Sequence, residues 1–516
     1  ASFFFPMSAA AVQGRPIILC EYAHAMENSL GNFREYWDVF NRYDNIAGAF
    51  IWDFVDQSIR QKAAQGDQWL YGGDFGEDES SFYFCANGLV AADRTPHPSM
   101  YEVKKVQQNI AVGAEDISAG RLRIRNDHRF TDLSDFCLVW RVEAQGRMIA
   151  GGYDDSLALA PQNEMEYSLP LDGITLPDSE CFLNVRFELK EDTVWASHGF
   201  VVASEQLLLR EKPADTVSEP VYGGALHVSE ANGESIVRNE NICLTIGSKT
   251  GFITSLSIRE RPLLAGPLRP NYFRAMIDND RGFASFSPKQ LIPTLEGYRW
   301  QHAADEMRLI ECKIQDQGPG ILITSRYEYE LFAGEVVLEY IVHPNGRVKI
   351  RHTVTPLEQP YRIGMTAALP ACYDRFTWYG RGPHETYCDR KTGADVSVYS
   401  AALDDLQHDY MRPQENGNRT DVRYLKVCDA YGGGFTLKDT TGYYLGFSAH
   451  PYSQDELDAC EHIHELPRHN EVFLQIDALQ CGVGGDLPGF ALLKSAYIIE
   501  EGKEYTQEFE IFQHNV

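Results

Sequence analysis

Long apolar runs are missing from this chain. None approaches the roughly 20 residues that a helix needs to cross a bilayer, and the opening "ASFFFPMSAA" has neither the basic stretch nor the extended apolar core of a signal segment. Paired cysteines are missing too. The 11 Cys lie singly with no Cys-x-x-Cys, so an odd total argues against a disulfide framework and the spacing against a zinc site. They are expected to be small buried hydrophobes. Positive charge is scarce: 46 Lys and Arg stand against 74 Asp and Glu, a formal net charge of -28. Such a chain is repelled by phosphate backbones and anionic lipid, which disfavours nucleic acid and membranes as partners. The expectation is a soluble chain with a neutral partner, and the residues leave its compartment, cytoplasmic or periplasmic, open.

At 516 residues the chain is too long for one hydrophobic core, so several domains are expected. Its texture changes twice. Within residues 1–108, "SFFF" at 2–5, "PIILC" at 16–20 and "IAGAFIWDFV" at 46–55 read as strands. A helical stripe of Phe33, Trp37 and Phe40 lies between, capped at Asn28 or Ser29. The runs are nearly continuous, as in a parallel sheet covered on both faces. Residues 109–212 switch to period two in "RLRIRN", "CLVWRVEAQGRM" and "CFLNVRFEL", the pattern of a β-sandwich. A polar, Pro-containing stretch at 213–220 reads as a linker, and 221–516 reads as β throughout. Its clearest hairpin turns at Asn345-Gly346, expected to supply a pair of positive φ angles between Leu338, Tyr340, Val342 and Val348, Ile350, His352.

One carboxylate draws the functional reading. Glu21 closes the run "PIILCE", and Trp52-Asp53 closes the next strand 31 residues later. In α/β barrels the active site gathers at the carboxyl ends of the strands, and glycoside hydrolysis uses carboxyl groups flanking the bond while sugar faces stack on aromatic rings. The ordinary alternative is a helix-cap partner or an ion pair. Position alone leaves both open.

"RPIILCEYAHAMENSLGNF", "FIWDFVDQS", "YGGDFG", "NGLVAADRTPHPSMYEVKKVQQ", "AMIDNDRGF", "WYGRGPHETYCDR", "ENGNRTDVRYL" and "GVGGD", in this order, resemble the second half of a glycoside hydrolase family 2 β-galactosidase of the bacterial lac type. The resemblance implies a multidomain, mainly β architecture: the C-terminal part of a (β/α)8 barrel, then an immunoglobulin-like sandwich, then a large galactosidase-type β-sandwich. It also implies a retaining enzyme acting on terminal β-galactosides such as lactose. Glu21 matches the family's nucleophile, His24 a residue bonded to the sugar, Trp52 the aromatic at the floor of the sugar pocket and Met7 a residue at its mouth. Phe84, through its carbonyl, and Asn87, through its side-chain oxygen, match a sodium-binding pair, and Asn87 also stands among the substrate-binding residues.

The departures matter as much. The acid/base Glu and the magnesium ligands that the family places on earlier barrel strands have no counterpart in this sequence. The chain is therefore expected to be inactive alone, with a missing barrel half or a second copy as its partner. The alternative is a non-catalytic structural or carbohydrate-binding fragment or subunit. Ser8 replaces a Tyr, Phe490 is the only aromatic near a position where the family often stacks Trp on glucose, and Glu27, where the family usually has a glycine, either puts a charge beside the turn after Glu21 or simply points to solvent. His462, His464 and His469 are expected to accept local bonds or face solvent, not to hold a metal. Asp278-Asn279-Asp280 lacks the further ligands of a calcium loop.

Overall fold

A computed structural model describes residues 14–63, 66–212, 222–282, 296–485 and 493–514. Met7, Ser8, the strand expected at 2–5, the linker at 213–220 and Phe490 lie outside the described residues. The chain forms two compact units, Val103–Glu219 and the remainder.

The smaller unit is a sandwich of two antiparallel sheets. One has the strand order Val201–Arg210, Cys181–Leu189, Phe136–Ala144, Arg147–Asp154, and the other Ile110–Asp116, Arg121–Asn126, Glu164–Ser168. Alternation drives it: Leu138, Trp140 and Val142 of one strand and Leu183, Val185 and Phe187 of its neighbour are all buried in one core with Leu122 and Ile124 of the facing sheet.

The larger unit begins with a β-α-β step, β1 (Ile17–Tyr22), α1 (Phe33–Phe40) and β2 (Ile46–Ile51), and β1 pairs parallel with β2. Two expectations need correction here. Among the described residues the sheet has two strands and is not covered on both faces: Ile18 is 59% and Phe50 64% exposed. Neither Asn28 nor Ser29 caps α1. The cap position is Asn32, in the left-handed region, with no side-chain cap bond, and the buried stripe is Phe33, Tyr36 and Val39. A hairpin follows, β3 (Ile59–Ala63) with β4 (Gly66–Leu70).

The rest of this unit is a large β-sandwich. A nine-stranded sheet and two five-stranded sheets, one over 227–262 and one that contains Glu471–Gln480, contribute to an apolar core that includes Leu244, Leu338, Tyr340, Ile350, Leu474 and Phe447. The hairpin at 336–354 pairs Leu338 with His352 and Tyr340 with Ile350, the expected register. Its turn differs from the expected one. His343 donates its N–H to the Arg347 carbonyl at 2.8 Å, and within the turn only Gly346, at φ 88°, is left-handed, so the loop is longer than a two-residue turn. The five-stranded sheet that contains Glu471–Gln480 is two-faced. Val472, Leu474 and Ile476 enter the core, while Gln475 and Asp477, on the opposite face of the same strand, are buried polar groups. Cysteine packing is looser than expected: Cys181 and Cys481 are buried, Cys20, Cys243 and Cys372 exposed, and the others between.

Candidate active site

The site is assembled by backbone bonds between loops that follow β1 and β2. The Trp52 N–H reaches the Tyr22 carbonyl at 3.4 Å, and the Trp52 carbonyl accepts the Ala25 N–H at 2.7 Å. The Asp53 N–H donates to the Asn87 carbonyl at 2.7 Å. These bonds bring the loops carrying His24, Trp52 and Asn87 to the mouth where β1 ends. Glu21, penultimate in β1, is half-buried and has no hydrogen bond or ion pair among the described residues. Trp52 is 44% exposed, its indole open to solvent.

His24 is buried, stacked parallel on Phe84 with centroids 5.8 Å apart. Burial pushes its pKa down to about 4, so the ring is neutral near pH 7. Its Nδ1 meets no partner among the described residues. The Asn87 side chain donates through Nδ2 to the Phe84 carbonyl at 3.2 Å, and its buried Oδ1 has no partner among the described residues. Asp53 accepts the Val55 N–H at 3.1 Å and Gln57 Nε2 at 2.9 Å, and burial raises its pKa. Of the sequence-derived set, the structure gathers Glu21, His24, Trp52, Phe84 and Asn87 on adjoining segments; Met7 lies outside the described residues.

The turn after Glu21 is strapped to the large sandwich. Asn28 Nδ2 donates to the Tyr387 hydroxyl at 3.0 Å and the Glu415 carbonyl at 2.6 Å, Asn32 N–H to the Asp389 carbonyl at 2.7 Å, and Gly31 N–H to the Gly484 carbonyl. Gly31 is obligatory, since a Cβ there would lie 1.9 Å from Asp389 Oδ2. Glu27 does not face solvent. It is 2% exposed and accepts the backbone N–H groups of Met411 and Arg412 at 3.1 and 3.0 Å. Burial, then neighbouring Asp56 and Asp278, raise its pKa well above the ordinary range. A single sequence carries no sign that these two distant amides await a carboxylate.

Sequence reasoning also missed a buried relay. His97 Nε2 lies 2.7 Å from Asp56 Oδ2 and its Nδ1 2.7 Å from His408 Nε2, and all three residues line a cavity of about 640 Å³. Other groups singled out from the sequence are held in local pairs and stacks. Asp280 forms a two-bond pair with Arg274 at 2.9 and 2.8 Å. His462 stacks on Tyr71 at 4.5 Å and reaches Asp74 at 3.0 Å, and His469 reaches Glu456 at 2.8 Å. Among the described residues no group of three His, Cys, Asp or Glu side chains is placed to hold a metal ion.

Residues 7–112 match the TIM barrel domain of glycosyl hydrolases family 2, residues 122–210 domain 4 of beta-galactosidase, and residues 238–511 the beta galactosidase small chain. The architecture is thus a partial (β/α)8 barrel followed by two β-sandwich domains. The chain is 35% identical to a beta-galactosidase of Priestia megaterium, over 96% of this chain and 47% of that protein. Against those of Vibrio cholerae and Alteromonas mediterranea the identities are 34% and 32%, over 92% and 95% of this chain and 46% and 48% of theirs. The chain spans about half the length of the curated relatives it matches. With more than half of its residues matched by one family model, the chain belongs to the beta galactosidase small chain family.

Proposed function

We propose that this chain carries the nucleophile side of a retaining β-galactosidase that hydrolyses terminal β-D-galactosides such as lactose. The observation that carries the reading is the Glu21 carboxylate: half-exposed and unpaired among the described residues, at the carboxyl end of a parallel strand, with Trp52 on the neighbouring strand end. An unpaired, solvent-reached carboxylate is free to attack an anomeric carbon and form a covalent glycosyl-enzyme, which water then hydrolyses. Trp52 supplies a flat apolar face for a pyranose ring, and neutral His24 offers hydrogen bonds without adding charge. The acid/base carboxyl, expected about 5 to 5.5 Å from the nucleophile in a retaining pair, would come from barrel strands outside this sequence, together with the magnesium ligands of the complete enzyme. The buried, donor-free Asn87 Oδ1 beside the Phe84 carbonyl suits a hard cation such as sodium, which when bound would add a fixed positive charge at the sugar pocket.

The exposed side chains of Ile18, Phe50, Phe54 and Ile59 on and around the two-stranded sheet would be covered by those further strands or by a second copy, since unpaired strand edges and contiguous apolar surface invite pairing. In an enzyme reconstituted with an N-terminal barrel half, a 2-fluorogalactoside should label Glu21, as read by peptide mass spectrometry. Label on any other carboxylate would overturn the assignment. Activity of the 516-residue chain measured without the added half separates an incomplete enzyme from a self-sufficient one, and absence of activity in both preparations would favour a carbohydrate-binding subunit.

A further inference from the structure

Asp56 stands where two loops of the candidate site meet. Four residues after Trp52, it donates its own N–H to the Val90 carbonyl at 3.0 Å and accepts the Gly88 N–H through Oδ1 at 2.7 Å. Gly88 follows Asn87, whose carbonyl already takes the Asp53 N–H at 2.7 Å. The segments carrying Trp52 and Asn87 are thus held side by side, with the Asp53 bond at one point and the Asp56 carboxylate at the next. They lie too close to admit a side chain between them, since a Cβ on Gly88 would collide with the Asp56 nitrogen and the Val90 carbonyl.

What fixes Asp56 comes from its other oxygen. Oδ2 lies 2.7 Å from His97 Nε2, and His97 Nδ1 lies 2.7 Å from Nε2 of His408, on a loop of the large sandwich. Burial, then His97, Arg390 and Arg419, push the His408 pKa well below its ordinary value, so the ring is neutral near pH 7. A neutral His408 donates Nε2–H to His97 Nδ1, which leaves His97 Nε2–H for Asp56, and each donor in the row meets one acceptor. Tyr410 stacks on His97 at 5.8 Å and stands edge-on to His408 at 4.6 Å, which limits rotation of both rings. Asp56 and His97 are 5% and 2% exposed. Apolar side chains of similar volume are often no less stable in such a place, so stability by itself does not call for a buried carboxylate and imidazole. Directed hydrogen bonds fix the Asp56 oxygen beside the Gly88 N–H as packing alone does not.

We propose that Asp56 is a positioning residue for galactoside binding, held by His97 and His408 so that Trp52 and Asn87 meet the sugar at a fixed spacing. The inference rests on the reading of Glu21 as nucleophile with Trp52 and Asn87 at the sugar. Among the described residues Asp56 bonds to Gly88, Val90 and His97 and to nothing on β1, the strand of Glu21. Loosening Asp56 therefore weakens the hold on the sugar in ground and transition states alike, which raises KM and spares kcat. An enzyme that is merely destabilised behaves otherwise: fewer molecules are folded, so the apparent kcat falls at an unchanged KM.

Kinetics with a nitrophenyl β-galactoside test this in enzyme reconstituted from the 516-residue chain and an N-terminal barrel half, with melting temperature and 2-fluorogalactoside labelling followed for each variant. Asp56→Ala is expected to raise KM about tenfold at little-changed kcat, and His408→Ala, two contacts further out, about threefold. Asp56→Asn keeps an oxygen for the Gly88 N–H and an amide for His97, so its KM should stay within about twofold of wild type. With label on Glu21, the inference is overturned by wild-type KM in folded Asp56→Ala, by a KM as high in Asp56→Asn as in Asp56→Ala, or by a loss confined to kcat. Label on another carboxylate overturns the reading of the site and this inference with it. Should Asp56→Ala fail to fold, His408→Ala decides alone, wild-type KM counting against Asp56.

Discussion

Glu27 Oε1 accepts the backbone N–H of Arg412 at 3.0 Å, tying the turn that follows Glu21 to a loop of the large sandwich 385 residues away in sequence. Oε2 takes the Met411 N–H in the same way. The two domains therefore share one polar clamp, and its removal leaves two amides without their acceptor. Glu27→Ala is expected to cost about 1–3 kcal/mol for each buried amide left unpaired, read as a lower midpoint in urea denaturation.

The same residue sets a pH dependence with a definite sign. Its folded pKa lies well above the ordinary value of 4.5 because burial and the neighbouring Asp56 and Asp278 disfavour the charged form, so the folded state holds a proton that the unfolded state has released. Stability from Glu27 is present at low pH and falls as pH rises from about 4.5 through the raised folded value. Accordingly, the stability difference between wild type and Glu27→Gln should favour wild type more at about pH 5 than at about pH 8. Equal differences at both pH values would refute it.

His352 acts in the opposite direction. It is fully buried, its Nε2 2.8 Å from the Tyr272 hydroxyl, and burial pushes its pKa down to about 3 from 6.5. The unfolded state takes up a proton below about 6.5 that the folded state refuses, so stability is lost as pH falls through that window. Wild type should lose more stability than His352→Gln between about pH 7 and pH 4, measured by thermal melts.

The Asp56–His97 contact, with both side chains nearly inaccessible, should be intolerant of single replacement. Asp56→Ala removes the partner of His97 and the acceptor of the Gly88 N–H at 2.7 Å. A loss of about 3–5 kcal/mol is expected for breaking a buried polar pair on one side. Differential scanning calorimetry against His97→Ala and the double variant would show strong non-additivity.

Exposed apolar side chains on the two-stranded sheet make a further prediction. Ile18→Asp combined with Phe50→Asp places charge on two sites that are 59% and 64% exposed, so the fold should be unharmed while self-association falls. Light scattering should show a larger mass for wild type than for the double variant.

Much of this was legible in the chain itself because burial writes a period into sequence. Leu338, Tyr340 and Val342 alternate inward as the residues alone require. Glu21 and Trp52 lie at the ends of two adjacent strands, as the apolar runs that precede them indicate. Other features had no local signal. Asn28 looked like a helix cap, yet its amide is taken by Tyr387 and Glu415. Glu27 looked like a solvent-facing charge, yet distant amides surround it.

The alternation that builds both cores and the placement of one carboxylate at a strand end were legible in the residues alone, since each depends on neighbours within a few positions. Which buried charges find partners and which pKa values move were decided only on folding. Those properties depend on groups hundreds of residues apart being brought to within hydrogen-bond distance, where desolvation and pairing compete.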